Sequence, residues 1–218
     1  MVDLAISNYA ELVDTVKAYH YRRNDLTDAV PVHIRLFEAK ANRTLMVRQM
    51  ETRSYTDVLE EPDEPEYISL PSDFQTMRSL RVVTDGERGA PLKFRTHFQL
   101  NELRESTSLT GESRYFTVFG DEMELYPEPV YPLRMEMVYR RNIPALTSTN
   151  TTNWLLTLAP DAYLYGALME ASPYMREDER IQTWAQGLAA AIQQLNDLSR
   201  EATYNAGPLT MSRRRRGY

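Results

Sequence analysis

The chain contains no cysteine. Disulfides, thiol nucleophiles and thiolate metal sites are therefore excluded. Histidine is scarce: His20, His33 and His97 are the complete set, and none stands in a ligand spacing such as H-E-x-x-H. An acid–base catalyst working near neutral pH thus has few side chains to draw on. Glycine is thin as well, and Gly86, Gly89, Gly111 and Gly120 fall in expected turns, with no phosphate-cradling loop among them. No run approaches the roughly eighteen apolar residues of a membrane span. The start, Met1-Val2-Asp3-Leu4, has neither the basic region nor the apolar core of a secretion signal. These absences predict a chain made and folded in a cytosol.

What is present is an ordinary folded composition, 42% hydrophobic and 26% charged over 218 residues. The net charge of -6 is unevenly spread. Asp57, Glu60, Glu61, Asp63, Glu64 and Glu66 form an acidic run with no base among them, and Arg213, Arg214, Arg215 and Arg216 stand almost at the C-terminus. Without those arginines the body is more acidic still, which argues against a strongly basic groove over the folded part. Fourteen tyrosines and ten methionines suit either contact surfaces or core and strand positions, and composition alone does not choose between them.

The periodicity predicts helices at both ends and strands between. The first helix is expected over 8–21, opened by Asn8 and Glu11 as a capping box, with Tyr9, Leu12, Val13 and Val16 on one face. The second starts at Pro31 after a cap or turn at Asp28, with Ile34, Phe37, Ala41 and Leu45 as its stripe. Strands are expected over 55–59, over 80–83, along the alternation Leu92, Phe94, Thr96, Phe98, in a hairpin 115–126 turning at Gly120-Asp121, and over 133–139. A polar linker over 142–153 leads to a helix from Pro160, interrupted at Pro173, and a last helix from Glu177 to Tyr204 striped by Ile181, Trp184, Leu188, Ala191, Ile192 and Leu195. Gly207-Pro208 ends it, and the rest has no periodicity. No one of these helices buries its stripe alone. The expected fold is therefore α+β: a four-helix bundle of N- and C-terminal helices with an inserted antiparallel β domain and an extended C-terminal arm. The expected boundaries are 1–49 and 143–205 for the bundle, 50–142 for the β domain and 206–218 for the arm.

No constellation for catalysis, cofactor or metal emerges. The carboxylates at 85–87 and 121–124 lack a calcium-loop pattern, and Glu177-Asp178-Glu179 suits a first helical turn. His33 is expected to be structural. Trp154 is read either as an interface anchor or as core, with core expected, and Trp184 as core. The acidic residues Glu60, Glu61, Asp63, Glu64 and Glu66 are expected in an exposed loop, solvated or, if the chain surrounds a polyanion, facing it and keeping it from sticking. The tail has two readings: phosphate contacts with nucleic acid, or forked ion pairs with carboxylates of a protein partner. An acidic body favours the protein partner, with Leu209, Met211, Arg213, Arg214, Arg215, Arg216 and Tyr218 as the expected contact residues.

Several strings resemble the head-to-tail adaptor (connector) proteins of short-tailed bacteriophages. They are the helix Tyr9 to Arg23 with Asp25-Leu26-Thr27 and Pro31 to Leu45, Leu70-Pro71-Ser72-Asp73-Phe74, the segment Tyr115 to Pro127, and Thr157 to Tyr174 with Pro160-Asp161-Ala162-Tyr163-Leu164-Tyr165-Gly166-Ala167-Leu168. The resemblance implies a non-enzymatic virion subunit at the head–tail interface, assembled in the host cytoplasm. It implies a ring of twelve copies coaxial with the portal protein, helical domains around a channel through which double-stranded DNA passes without sequence-specific binding, a C-terminal arm docked on the portal, and β domains supporting the downstream tail or nozzle protein or its fibres. No cofactor and no membrane enter this picture. The arm is expected to order only on a partner, so the free chain is expected to be monomeric or weakly associated. The rival from another class is a phage DNA-binding or packaging accessory protein acting through the C-terminal arginines. A tail-associated hydrolase is more distant.

Overall fold

A computed structural model describes residues 6–19, 28–60, 66–84, 86–106, 109, 111–175 and 178–204. The chain divides into two compact units, Met1–Gln49 with Ile143–Tyr218, and Met50–Asn142.

The first unit is helical: α1 (Tyr9–Tyr19), α2 (Val30–Thr44), α4 (Trp154–Leu158), α5 (Pro160–Met175) and α6 (Asp178–Tyr204). The Asn8 side chain accepts from Glu11 N at 3.0 Å, while Glu11 reaches back to Ser7 N at 2.7 Å, so α1 opens on the expected residues with the return bond shifted by one. Of the cap or turn expected at Asp28, the structure has the turn and not the cap. Ala29 holds the cap position without a side-chain bond, and Pro31 occupies the first turn, where a missing N–H leaves no bond unmade. α5 is packed by α1, α2, α4 and α6. The apolar stripes do this work: Leu12 and Val16, Ile34, Phe37 and Ala41, Tyr163, Ala167, Leu168 and Ala171, and Trp184, Leu188, Ala191 and Leu195 are all buried. Each fully buried leucine contributes roughly 2 kcal/mol by leaving water. Gly166 lets the Phe37 ring lie directly on the α5 backbone, since a methyl there would overlap the ring. Pro173 does not interrupt α5 as expected. It lies in the last turn, where it cannot donate to Met169 O and its ring crowds that carbonyl, and α5 ends two residues later at Met175. α6, with 27 residues, is about 40 Å long.

The second unit is a two-sheet sandwich. Its strands are β1 (Glu51–Tyr55), β2 (Tyr67–Ser69), β3 (Phe74–Thr84), β4 (Glu87–Pro91), β5 (Lys93–Phe94), β6 (Tyr115–Phe119), β7 (Glu122–Tyr126) and β8 (Met135–Arg141), with α3 (His97–Ser106) between β5 and β6. The sheets are ordered β1-β8-β3-β4 and β2-β7-β6-β5. All pairings are antiparallel except the two-residue parallel contact of β5 with β6. The inward faces share one core, including Leu80, Met135 and Met137 from the first sheet and Ile68, Phe116, Met123 and Leu125 from the second. The hairpin β6–β7 pairs from Tyr115↔Tyr126 to Phe119↔Glu122, with Gly120 supplying φ 60 at its turn.

Two expected strands are corrected. The first lies earlier, over Glu51–Tyr55, and Leu59 makes only an isolated bridge to Leu133. The alternation from Leu92 to Phe98 is strand only at Lys93–Phe94, and His97–Ser106 is helix. Thr96 and Gln99 exchange capping bonds, Gln99 N to Thr96 Oγ1 at 3.3 Å and Thr96 N to Gln99 Oε1 at 3.2 Å. This reciprocal cap outweighs the strand-like alternation.

Candidate functional site

Most of the tail and loop residues singled out in the sequence, namely Leu209, Met211, Arg213, Arg214, Arg215, Arg216, Tyr218, Glu61, Asp63 and Glu64, lie outside the described residues. Of the acidic run, Asp57 and Glu60 are exposed and Glu66 is half-buried. Trp184 is core, as expected. Trp154 is half-buried with its indole N–H enclosed and unbonded. His33 is buried on α2, and burial holds its imidazole below the ordinary value, which keeps it neutral and structural.

The helical unit contains a polar cluster that the sequence did not announce. Glu38 on α2 is buried, and its carboxylate accepts from Leu146 N at 2.8 Å and from Tyr163 Oη at 3.0 Å. Asn153 donates to the same Tyr163 oxygen at 2.6 Å and to Pro144 O at 2.8 Å, while its own carbonyl caps α4 at Leu156 N, 2.8 Å. Asn42 accepts from Ile143 N at 2.7 Å. The segment 143–153 is therefore strapped to α2 by the Asn42 and Glu38 side chains, and to the start of α1 by Tyr9 N, which donates to Thr151 O at 2.8 Å. Burial raises the Glu38 carboxyl above its ordinary range, although the Leu146 and Tyr163 hydrogen bonds and nearby Arg35 oppose that shift. Burial, with the Glu38 charge adding to it, pushes the Tyr163 phenol far upward, so it stays a donor at any physiological pH.

In the β unit, the outer layer of the second sheet is closed by α3. Leu100 is fully buried there, and Arg104 pairs with the fully buried Glu124, whose other oxygen lies 3.5 Å from His97 Nδ1. This is a structural ion pair: removing Arg104 would leave the buried Glu124 carboxylate without its cation.

The outer face of the first sheet is different. The register places Tyr55, Glu136 and Arg81 in one row across β1, β8 and β3. Buried Glu136 accepts from Tyr55 Oη at 2.7 Å and pairs with Arg88 Nε at 2.6 Å, and Arg88 also donates to Tyr55 Oη at 2.9 Å. The Tyr55 hydroxyl first, and Glu136 with it, raise the Arg88 guanidinium above its ordinary value. Guanidiniums of Arg53 and Arg134 stand over the Tyr55 ring at 5.7 and 5.4 Å. Arg78 pairs with Glu51 at 3.2 Å, and Arg140 donates to Gln75 at 2.8 Å. Six arginines thus share one sheet face with two carboxylates, a local surplus of positive charge. Bulk charge gave no hint of it.

Beside this face, a groove of about 570 Å³ is lined by Val58, Val82, Val83, Pro129, Val130 and Tyr131 among others. Its one serine, Ser113, is spent on Pro127 O at 2.7 Å. Among the described residues no group of His, Asp and Glu is placed to hold a metal ion, and no helix is long and apolar enough to cross a membrane. The geometry offers surfaces, straps and charge.

No curated protein matches the chain. A family model, that of the SU10 adaptor protein, matches residues 7–212, a span that runs through both units. The chain therefore belongs to the SU10 adaptor protein family, the head-to-tail adaptors of bacteriophages, and is a structural component rather than an enzyme.

Proposed function

We propose that the chain is one subunit of a closed ring, of twelve copies, that joins the phage portal to the tail and continues the DNA channel. The observation that carries this reading is the family match from residue 7 to residue 212, unbroken across the helical and β units. In the same reading the helices of 1–49 and 143–205 form a four-helix bundle, 50–142 is a domain inserted into it, and 206–218 is an arm that docks on the portal through Arg213 to Arg216. Two features support the insertion. β1 and β8, the first and last strands of the β unit, are paired neighbours, so its two ends emerge together. The segment that follows β8 is then strapped to α2 by Asn42 and Glu38. Downstream tail or nozzle protein, or fibres, would rest on the β domain. Duplex DNA would pass without sequence-specific contact, and assembly would take place in the host cytoplasm.

The test is to mix the chain with portal protein and measure particle mass, with and without residues 206–218. The full chain is expected to add a complete ring, and the shortened chain is expected to add little or none. Absence of any complex with the full chain overturns the adaptor reading for this pairing. Undiminished assembly by the shortened chain removes the arm from the mechanism. Salt-dependent duplex binding abolished by removing the four arginines favours the rival, a DNA-binding accessory protein.

A further inference from the structure

The β unit carries opposite charge on its two outer layers. Residues 50–142 hold eleven Lys and Arg against eighteen Asp and Glu, so the unit as a whole is strongly acidic. Yet, among the described residues, the outer face of the first sheet gathers Arg53, Arg78, Arg81, Arg88, Arg134 and Arg140 with Glu51 and Glu136 as their carboxylate partners. Arg88 and Arg78 are spent on those carboxylates. Among the described residues, Arg53 and Arg134 have the Tyr55 ring alone, and Arg81 has no ion pair. Three guanidiniums, exposed at Arg53 and Arg134 and half-buried at Arg81, thus stand on the sheet without a carboxylate partner among the described residues. Tyr55, tied at its hydroxyl to Glu136 and 38% exposed, stands at their centre. The opposite layer, α3 with the β6–β7 turn, exposes Glu102, Glu105, Asp121 and Glu122, with Lys93 and Arg95 at its β5 edge.

We infer that the arginine face around Tyr55 is a copy-to-copy contact, seated against the acidic far layer of the next subunit's β unit. This inference rests on the ring reading. A ring of identical subunits needs two different, complementary surfaces on each copy, because its contacts are heterologous. A sandwich with a cationic layer on one side and an anionic layer on the other supplies them. Arginine and tyrosine are also the side chains that dominate protein contact energies, and forks on a rigid sheet lose little freedom when they grip carboxylates. A duplex is the weaker occupant. The acid-rich remainder of the unit repels phosphate at long range, and two of the six arginines are already neutralised.

The absence of native cysteine gives a direct test. In the full chain, Arg81→Cys is combined in turn with Glu102→Cys and Glu122→Cys, assembled on portal, and oxidised. A ladder of disulfide-linked copies that needs both cysteines is expected from at least one pair. Monomers only, from assembled wild-type-sized rings, overturn the inference while leaving the ring reading intact. No ring from the wild-type chain overturns the reading itself. In parallel, Arg53→Glu with Arg134→Glu is expected to lose complete rings while single copies still bind portal and melt within a few degrees of wild type. Arg53→Lys with Arg134→Lys is expected to fall between. Full rings from the charge-reversed chain, or duplex binding that the reversal abolishes, also overturn the inference.

Discussion

Tyr163 on α5 donates to Glu38 on α2 at 3.0 Å, joining two residues 125 positions apart through a bond that is closed to solvent. The contact fixes where the chain returning from the β unit re-enters the helices, because the same carboxylate oxygen also holds Leu146 N.

The Glu38 carboxyl titrates at about 4.5 in an unstructured chain and higher in the fold, with burial as the main cause. Between those two values the folded state binds more protons, so stability falls as pH rises through that window. The contribution is full below the ordinary value and lost above the folded one. Glu38→Gln keeps an acceptor oxygen and removes the titration. Thermal unfolding of the two proteins from pH 4 to neutrality should show wild type losing stability relative to the glutamine variant as pH rises. Glu38→Ala strands the Leu146 N–H and the Tyr163 hydroxyl and should cost about 3 kcal/mol.

Asn153 carries three bonds at once, to Leu156 N, Pro144 O and Tyr163 Oη. Asn153→Ala should destabilise the helical unit by about 2 kcal/mol, the cap supplying about half. Asn153→Asp keeps the cap acceptor but loses both amide donors and adds a charge near Glu38. Urea unfolding should show it no better than alanine, whereas a near-native midpoint would reduce Asn153 to a cap alone.

The helices were legible because their stripes repeat over three or more turns. Leu12 and Val16, Ile34 and Ala41, and Trp184 to Leu195 are buried where the 3.6 period puts them. The hairpin at Gly120 was legible from its turn residue. Glu51–Tyr55 was not, because this edge strand buries neither face and its sequence, ETRSY, has no apolar alternation. α3 was misread although Thr96-x-x-Gln99 is a cap signature, since Leu92, Phe94 and Phe98 imitate a half-buried strand. The arginine face was invisible for a different reason. Residues 53, 81, 88 and 134 meet only through the register of four strands, and no local pattern encodes that pairing.

Gly166 sets how closely α5 approaches α2. Gly166→Ala brings a methyl into the Phe37 ring, which is 3% exposed and has little room to move. Overpacking of this kind costs about 1–3 kcal/mol. Phe37→Leu, which removes the ring, should recover part of the loss in the double variant, and a melting series of the four proteins measures that coupling.

Glu124 is fully buried on β7, and Arg104 of α3 is its ion-pair partner. The Arg104 side chain also lies over the Tyr126 ring at 5.4 Å, so its guanidinium is held from two directions. Arg104→Ala leaves a carboxylate enclosed without its cation and should destabilise the β unit by about 3–5 kcal/mol. Pairing Arg104→Met with Glu124→Leu removes both charges and keeps the volume. That double variant should recover most of the stability, since the desolvation of two ions vanishes with them. Urea midpoints compared across the single and double variants check both parts. A double variant no more stable than Arg104→Ala would mean that α3 is held down by the geometry of the pair rather than by neutralising a buried charge.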